Sequence, residues 1–515
     1  MYVTNPHFRT SMNFQTFRRK KARGTTRIFV VGSSAAKGWP GDQESAFTGF
    51  LRRALDSLYP GRFEIINAAG HSYASHRVLD VMYDIVEHEP DFILVYSGNN
   101  EYVERNVLPA SARNRHAMKI NRVLRGSSLY RAVRLTLYSV SPSLFRAPEG
   151  PDLTDLRAAP VRRVQPARDP AIDREVRENY RKNVSEMARL LRRHAVAGAF
   201  CTVPVNRSAW VPASVPPSFG NPVDARKWDD AIRAAFDAYR GKRYAQAAAY
   251  FHAVAEITPG HPAARFFRGD ALRRLGRYDE AREDLSAACE YDARPIRELP
   301  SFGRIVAEES ARHGIPLIDL AAEFEMRSGK NLVGLDLFID YCHPNEAGHK
   351  RIAETAFRGM FPLPGFRGVD GSAVSKRIRE DASAVSRYSS PSMLYAQGMT
   401  HQNNGDLAGA ERLYRESLKG KPDFPEALYN LGAVRYLLGD RRGAAELALK
   451  SLERDPGLRE SLTMMAMIRM QEGRLPEARK YAARLLRLDP DRPDALEIMR
   501  RIADAESTLE GRSRR

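Results

Sequence analysis

The chain has 515 residues, of which 43% are hydrophobic and 28% are charged. The length predicts about three domains, and the composition is typical of a folded globular protein, so a long disordered or fibrous chain is excluded. The net charge is +18, but arginine is spread over the whole length, which argues against a specific nucleic-acid partner.

The three cysteines, Cys201, Cys289 and Cys342, form no C-x-x-C pair, so the sequence predicts neither a disulfide framework nor a zinc cluster. No apolar run reaches the roughly 18 to 20 residues that span a bilayer, and the first residues lack the apolar core of an export signal. We therefore expect a cytoplasmic protein. The alternative is a membrane-associated protein whose N-terminal anchor precedes the chain as given.

The first segment, residues 1–26, is predicted to be a basic polar arm that includes the run from Arg18 to Lys21. Such a run is either a solvated lead-in or an arm that lies on a membrane surface.

Five short apolar runs then read as buried parallel strands, because they alternate with helical patterns. The runs are Arg27–Val31, Phe63–Ile66, Phe92–Tyr96, Ala199–Val203 and Pro316–Leu320. The helical patterns between them include Ala46–Tyr59, His76–Glu87 and Arg174–Ala195. This alternation predicts βαβ units and a three-layer α/β domain around a parallel sheet.

Two blocks of the chain repeat with a period of 34 residues. In the terminal block the period relates Gly405, Gly439 and Gly473, then Ala410, Ala444 and Ala478, then Pro422, Pro456 and Pro490. In the middle block it relates Tyr244 to Tyr278 and Ala247 to Ala281. A small residue at a helix crossing, a glycine at the turn and a proline after the second helix indicate stacked helical hairpins. Both blocks resemble tetratricopeptide (TPR) repeats.

These patterns predict a sheet domain that is interrupted by a helical insertion. The expected segments are the sheet domain over 27–224 and 293–362, an inserted repeat pair over 225–292, a linker over 363–391 and an all-α repeat array over 392–505. Residues 147–169 are rich in Pro and Arg and are predicted to form a loop. A pair of repeats buries too little surface to stand alone, so we expect the inserted pair to pack on the sheet domain.

Polar residues follow the predicted strands at their carboxyl ends, which is where open parallel sheets bind ligands. Ser34 follows the first strand, Asn67 to Ser75 follows the second, and Asn100 follows the third. An Asp-x-x-His-Pro sequence at Asp340 and His343 comes after the last strand. Each of these signals alone is also compatible with a helix cap or a surface loop.

Together, these residues resemble the four sequence blocks of the SGNH, or GDSL-like, hydrolases, in the same order along the chain. The resemblance covers about residues 27–362 without the insertion. It implies that Ser34 is the nucleophile, that His343 is the base, and that Asp340 orients the base. It also implies an oxyanion hole made by the backbone of Ser34, the second-block loop and the Asn100 amide.

Two positions depart from the family pattern. Ser33 replaces the aspartate that precedes the nucleophile in the family. Since that carboxylate does not transfer protons in the family, the replacement affects the geometry of the site and not its chemistry. In the second block the family glycine aligns with Ser72, whereas Gly70 is the only glycine in the loop. The N–H group of either residue can serve as an oxyanion donor, and we assign the role to Gly70.

The SGNH resemblance therefore implies a serine esterase, with an acyl transferase as the alternative, that acts on an ester-linked acyl group, a glycan ester among the candidates. We expect no cofactor and no metal, since His343 and His349 do not have the spacing of a helical zinc pair, and Cys342 is expected to be a packing residue. We expect a protein or peptide partner at the TPR surfaces. The alternative is a TPR scaffold with an inactive or regulatory SGNH-like domain.

Overall fold

The computed structural model describes residues 2–3, 12–13, 15–107, 168–215, 217–328, 332–383, 390–403, 405–488 and 493–513. The chain divides into two compact units, Met1–Ala384 and Val385–Arg515. The predicted loop over 147–169 lies outside the described residues except for its last two. Among the described helices, no stretch has the length and hydropathy needed to cross a membrane.

A five-stranded parallel sheet forms the centre of the first unit. Its strands are β3 (Thr26–Gly32), β4 (Phe63–Asn67), β5 (Phe92–Tyr96), β6 (Ala197–Cys201) and β7 (Leu317–Ile318). Their order in the sheet is β4-β3-β5-β6-β7, and every neighbouring pair is parallel. The order reverses at β3, so the residues that follow β3 and β5 lie at the topological switch point where open sheets bind ligands.

Helices cover both faces of this sheet. The helices that precede the insertion are α1 (Ser34–Lys37), α2 (Phe47–Leu58), α3 (Ser75–Ile85), α4 (Glu101–Val107) and α5 (Pro170–Arg193). Those that follow the insertion are α10 (Pro300–His313), α11 (Leu320–Ser328), α12 (Glu346–Met360) and α13 (Gly371–Glu380).

Side-chain alternation along β3 defines the two layers. Phe29 and Val31 share one apolar cluster with α3, α5 and α10. Ile28 and Val30 are also buried and, because successive strand side chains alternate, they face the opposite layer. There α2 packs against β4, α12 and α13.

The sequence prediction of a linker over 363–391 needs correction, because α13 lies inside it. Asp370 caps this helix by accepting the N–H groups of Ser372 and Ala373 at 2.9 and 3.1 Å. Val374 and Ile378, one helical turn apart, are fully buried, and α13 packs on α2. The segment therefore belongs to the sheet domain as far as Glu380.

The amino-terminal arm is partly built into the same domain. Its two short strands, β1 (Tyr2–Val3) and β2 (Thr16–Phe17), pair antiparallel. Gln15 forms two hydrogen bonds with the backbone of Asn67, and Met12 makes a β-bridge to Gly70. The described part of the arm thus lies against the loop that follows β4.

Four helices form the insertion between β6 and α10: α6 (Pro222–Arg240), α7 (Tyr244–Ile257), α8 (Pro262–Arg274) and α9 (Tyr278–Glu290). Consecutive helices pack as neighbours, as stacked helical hairpins do. Their core is rich in alanine and includes Phe251, Leu272 and Leu285.

The second unit is all helical. Its helices are α14 (Pro391–Asn403), α15 (Leu407–Gly420), α16 (Pro425–Leu437), α17 (Arg441–Arg454), α18 (Arg459–Gln471), α19 (Leu475–Leu488) and α20 (Pro493–Ser513). Gly405, Gly439 and Gly473 have φ values of 78°, 91° and 74°, and each lies in the turn between the two helices of a hairpin. The last helix, α20, packs on α19 and α18 as the predicted cap, although it is longer than the predicted 495–505.

Candidate active site

The turn after β3 places Ser34 at the first position of α1. Gly32 permits this turn because a Cβ at that position would lie 2.1 Å from the carbonyl oxygen of Tyr96 on the neighbouring strand. Ser33 is the N-cap residue, and its side chain makes no capping bond. The Ser34 hydroxyl is therefore not a helix cap, and it bonds to a residue far away in the sequence.

That residue is His343. The Ser34 Oγ atom lies 2.8 Å from His343 Nε2, and His343 Nδ1 lies 2.7 Å from Asp340 Oδ2. All three side chains are buried. Because a carboxylate only accepts hydrogen bonds, Nδ1 carries the proton and Nε2 presents its lone pair to the serine hydroxyl. The structure thus brings together the three residues that the sequence predicts as a triad.

The Asp340 carboxylate is fixed from its other side as well. Its Oδ1 atom accepts the backbone N–H groups of Cys342 and His343 at 2.9 and 2.8 Å. These bonds leave Oδ2 directed at the imidazole. Such orientation of the carboxylate holds a triad histidine in one tautomer.

The assignment of an oxyanion donor to Gly70 needs correction. The Gly70 N–H donates to the carbonyl of Gly32 at 3.0 Å, which bonds the loop to the strand and uses up this donor. Ser72 has a φ of 56°, in the left-handed region that favours glycine. Its N–H makes no hydrogen bond to any residue that the structure describes.

Asn100 lies at the start of α4 and is buried. Its Nδ2 atom donates to the carbonyl of Tyr73 at 3.2 Å, which ties the third block to the second-block loop. An amide nitrogen has two hydrogens, so this bond uses only one of them.

Two buried glutamates of α4 form hydrogen bonds with the end of the same loop. Glu101 accepts the N–H of Ser75 at 2.8 Å, and Glu104 accepts the N–H of Ala74 at 2.7 Å, so they cap the start of α3. Burial raises the pKa of each carboxyl to about 7, against the lowering effect of these hydrogen bonds. Sequence analysis did not assign this role to Glu101 and Glu104.

Aromatic rings surround the imidazole of His343. The Trp39 ring lies 4.4 Å from it between centroids, and the Tyr341 ring lies 5.6 Å from it. Trp210 packs on Tyr341 at 5.1 Å. Sequence analysis did not single out these residues, because no local pattern connects Trp39 and Trp210 with the triad.

Asp340, Cys342 and His343 also have the donor atoms of a metal site, all within 4.8 Å of one another. The two imidazole nitrogens already form hydrogen bonds with Asp340 and Ser34. Burial raises the pKa of the Cys342 thiol well above its ordinary value, which disfavours the thiolate that binds metal. Burial also lowers the pKa of His349 to about 3, and its Nδ1 accepts the N–H of Phe47 at 3.2 Å. His349 is therefore a neutral packing residue behind the triad.

The comparison with family models gives two matches to the tetratricopeptide repeat, at residues 238–295 and 395–458. Both helical blocks contain tetratricopeptide repeats. The comparison with curated proteins gives no match.

Similar solved structures fall into two groups. The chain is similar over 24% of its length to the first TPR domain of the human RPAP3 protein, with 20% identity, coverage of 95% of that chain and a TM-score of 0.23. An acetyl xylan esterase, AlAXEase, is 11% identical, with coverage of 64% and 98% and a TM-score of 0.31. TesA is 12% identical, with coverage of 66% and 99% and a TM-score of 0.28. At these scores none of the structures carries an argument about activity.

Proposed function

We propose that the sheet domain is a serine ester hydrolase of the SGNH type. The observation that carries the proposal is the buried chain of hydrogen bonds from Ser34 through His343 to Asp340, with lengths of 2.8 and 2.7 Å. A serine hydroxyl is a weak nucleophile until an oriented imidazole removes its proton. These two bonds are the arrangement that such proton removal needs.

The reaction then proceeds in two halves. The Ser34 Oγ atom attacks the ester carbonyl carbon while His343 Nε2 takes the hydroxyl proton. The carbonyl oxygen becomes an anion, for which Asn100 and the backbone N–H groups of Ser34 and Ser72 are the proposed donors. When this intermediate collapses, His343 returns the proton to the departing alcohol, and the acyl group remains on Ser34.

Water completes the cycle by the same route. His343 removes a proton from the water, the resulting oxygen attacks the acyl-enzyme, and the carboxylic acid leaves as Ser34 regains its proton. An alcohol acceptor in place of water gives acyl transfer with the same proton movements. The SGNH resemblance implies a small acyl ester as the substrate class, with glycan esters among the candidates.

Hydrolysis of p-nitrophenyl acetate tests the proposal. We expect turnover by the full chain and its loss in Ser34→Ala. Ser33→Ala is the matched control, because Ser33 is the adjacent buried serine and its hydroxyl has no hydrogen-bond partner among the described residues. Turnover that survives in Ser34→Ala, or that is lost equally in both variants, contradicts Ser34 as the nucleophile.

A second role, the binding of a protein or peptide, is proposed for the terminal array. It is supported by the repeat match at 395–458 and by the exposed side chains of Leu437 and Leu438, which are 61% and 54% accessible. Binding of a peptide library to the full chain, compared with a chain that lacks residues 392–515, tests this role. Equal binding by both chains contradicts it. A folded chain with library binding but no ester turnover supports the scaffold alternative.

A further inference from the structure

We propose that Asn206 is a positioning residue that fastens the Asp340–His343 loop to the base of the inserted repeats, so that the insertion sets the geometry of the triad. This inference rests on the hydrolase function proposed above. It assigns to the inserted pair a task inside its own domain, in addition to any partner that TPR repeats bind.

Asn206 is fully buried and bonds to the catalytic loop twice. Its Nδ2 atom donates to the main-chain carbonyl of Asp340 at 2.9 Å, and its own N–H donates to the carbonyl of Tyr341 at 3.1 Å. Its Oδ1 atom accepts the N–H of Ala209 at 2.9 Å. The two carbonyls belong to the residues three and two positions before His343, so their positions constrain where the imidazole stands.

The base of the insertion consists of the chain that leaves β6 and the chain that returns to α10. Arg297 on the returning chain is 1% exposed, and its guanidinium donates to the carbonyls of Asn206 and Trp210 on the leaving chain. Asp292 and Ala213 add a second connection, since Asp292 Oδ1 accepts the Ala213 N–H at 3.1 Å. A buried guanidinium with such partners fixes the two chains side by side.

The inserted helices also contact the chain before the triad loop and within the loop itself. Leu332, eight residues before Asp340, is 5% exposed and belongs to the apolar cluster of the inserted helices, against which Val211 also packs. Cys289 at the end of α9 shares a small apolar cluster with Cys342, the neighbour of His343. The loop is therefore held by the insertion through Leu332, Cys289 and the Arg297–Asn206 connection.

This arrangement gives a physical reason for an insertion at this place in the chain. A displacement of about 1 Å far from the reacting atoms is enough to cost about 100-fold in rate. Asn206 does not touch the reacting atoms, so it acts only through Asp340 and His343.

Asn206→Ala and Arg297→Met test the inference in the full chain. Arg265→Met is the matched control, because Arg265 pairs with Asp284 at 2.9 Å within the inserted helices, and its side-chain hydrogen bonds among the described residues go to Asp284 and Pro259, outside the base. The first measurement is the rate of Ser34 labelling by a fluorophosphonate. We expect it to fall about 10-fold to 100-fold in Asn206→Ala and Arg297→Met and to stay unchanged in Arg265→Met.

The second measurement is the low-field proton NMR resonance of the His343 Nδ1–H that bonds to Asp340. A loss of overall stability does not move this resonance in a folded chain, whereas displacement of the loop does. We expect a shift or loss in Asn206→Ala and Arg297→Met and the unchanged resonance in Arg265→Met.

The two measurements separate the two proposals. A folded Asn206→Ala chain with unchanged labelling and resonance overturns the positioning role, and if that variant does not fold, the same result in Arg297→Met overturns it. A wild-type chain that is not labelled overturns the hydrolase proposal, while the resonance still decides whether Asn206 holds the loop.

Discussion

The two TPR blocks of this chain are built from the same repeat and have different surroundings. The inserted pair shares its apolar cluster with Leu332 and Val211 of the sheet domain. The clusters of the terminal array contain array residues alone among those described, and α20 closes its end. The difference teaches that the number of repeats decides whether a block can bury its own apolar faces. Two repeats need a neighbouring domain for this, and three repeats with a capping helix do not.

The three residues of the proposed triad all lie in the first unit. Among the variants considered, Asp340→Asn has the largest expected effect. Oδ1 of Asp340 accepts two backbone N–H groups, so an asparagine would keep its oxygen there and turn its NH2 toward His343 Nδ1. This forces the wrong imidazole tautomer, and we expect turnover of p-nitrophenyl acetate to fall by about 10³-fold to 10⁴-fold.

Asp336→Asn is the control for this variant. Asp336 lies just upstream of Asp340 and caps the N–H of Gly334 at 3.1 Å, outside the triad. Equal losses of turnover in the two variants would show that the loop is merely fragile and that Asp340 has no special role.

A pair of leucine truncations sharpens the contrast between the two blocks. Leu332→Ala should destabilise the first unit by about 2 to 5 kcal/mol, because it opens a cavity where the sheet domain meets the inserted helices. Leu462→Ala, at a fully buried site of the terminal array, should cost a similar amount in the second unit alone. Unfolding of each unit is followed by hydrogen exchange, and labelling of Ser34 is measured on the folded chains.

We expect only Leu332→Ala to slow the labelling of Ser34. If Leu462→Ala slows it equally, the array also supports the catalytic loop and the contrast between the blocks is wrong.

The strands and the pairing of Asp340 with His343 are predictable from the sequence because both depend on local signals. The run Phe92–Tyr96 is β5 without change, and an Asp and a His three residues apart reach each other in one loop. The 34-residue period likewise predicts the helical hairpins, because each repeat is one hairpin. These features depend on residues that lie near one another along the chain.

The remaining features depend on contacts between distant segments. Asn206 and Asp340 are 134 residues apart, and nothing near Asn206 in the sequence marks it as their link. The bond from the Gly70 N–H to the Gly32 carbonyl is equally hidden in the sequence, because a glycine pattern reports the residue type and not the partner of its backbone. The helix α13 was missed because Pro362–Pro391 contains enough turn formers to resemble a linker, although Val374 and Ile378 have helical spacing.

The second-block loop makes the first unit sensitive to pH in a way that the terminal array is not expected to share. The pKa of Glu101 and Glu104 rises from 4.5 to about 7 on folding, chiefly because of burial. The two carboxyls therefore retain protons in the folded unit that they have released in the unfolded chain, and their contribution to its stability is greatest below about pH 4.5 and falls as the pH rises to about 7.

For one such group the loss of stability is at most about 3 kcal/mol. Urea unfolding of the first unit between pH 5 and pH 8 measures it, and Glu101→Gln should flatten the slope. Glu186→Gln is the control, since the carboxylate of Glu186 pairs with Arg193 at 2.6 Å and its pKa is lowered, so its removal should not flatten the slope. A dependence of stability on pH that is the same in Glu101→Gln as in the wild type would contradict the raised pKa of Glu101.

Deletion of residues 392–515 should have the smallest effect. The sheet domain and the inserted pair lie in the first compact unit, so Ser34 labelling should stay within about twofold of the full chain at the same temperature. A larger loss in a folded chain would show that the array contributes to the site.

The central claim, that Ser34 is a nucleophile activated by His343, is tested most directly by locating the covalent adduct. The full chain is treated with a fluorophosphonate, digested, and sequenced by mass spectrometry. The account predicts one phosphonyl group, on Ser34, and its absence from a His343→Ala chain treated in the same way. An adduct on another residue, or an unmodified Ser34 in the folded wild-type chain, would contradict it.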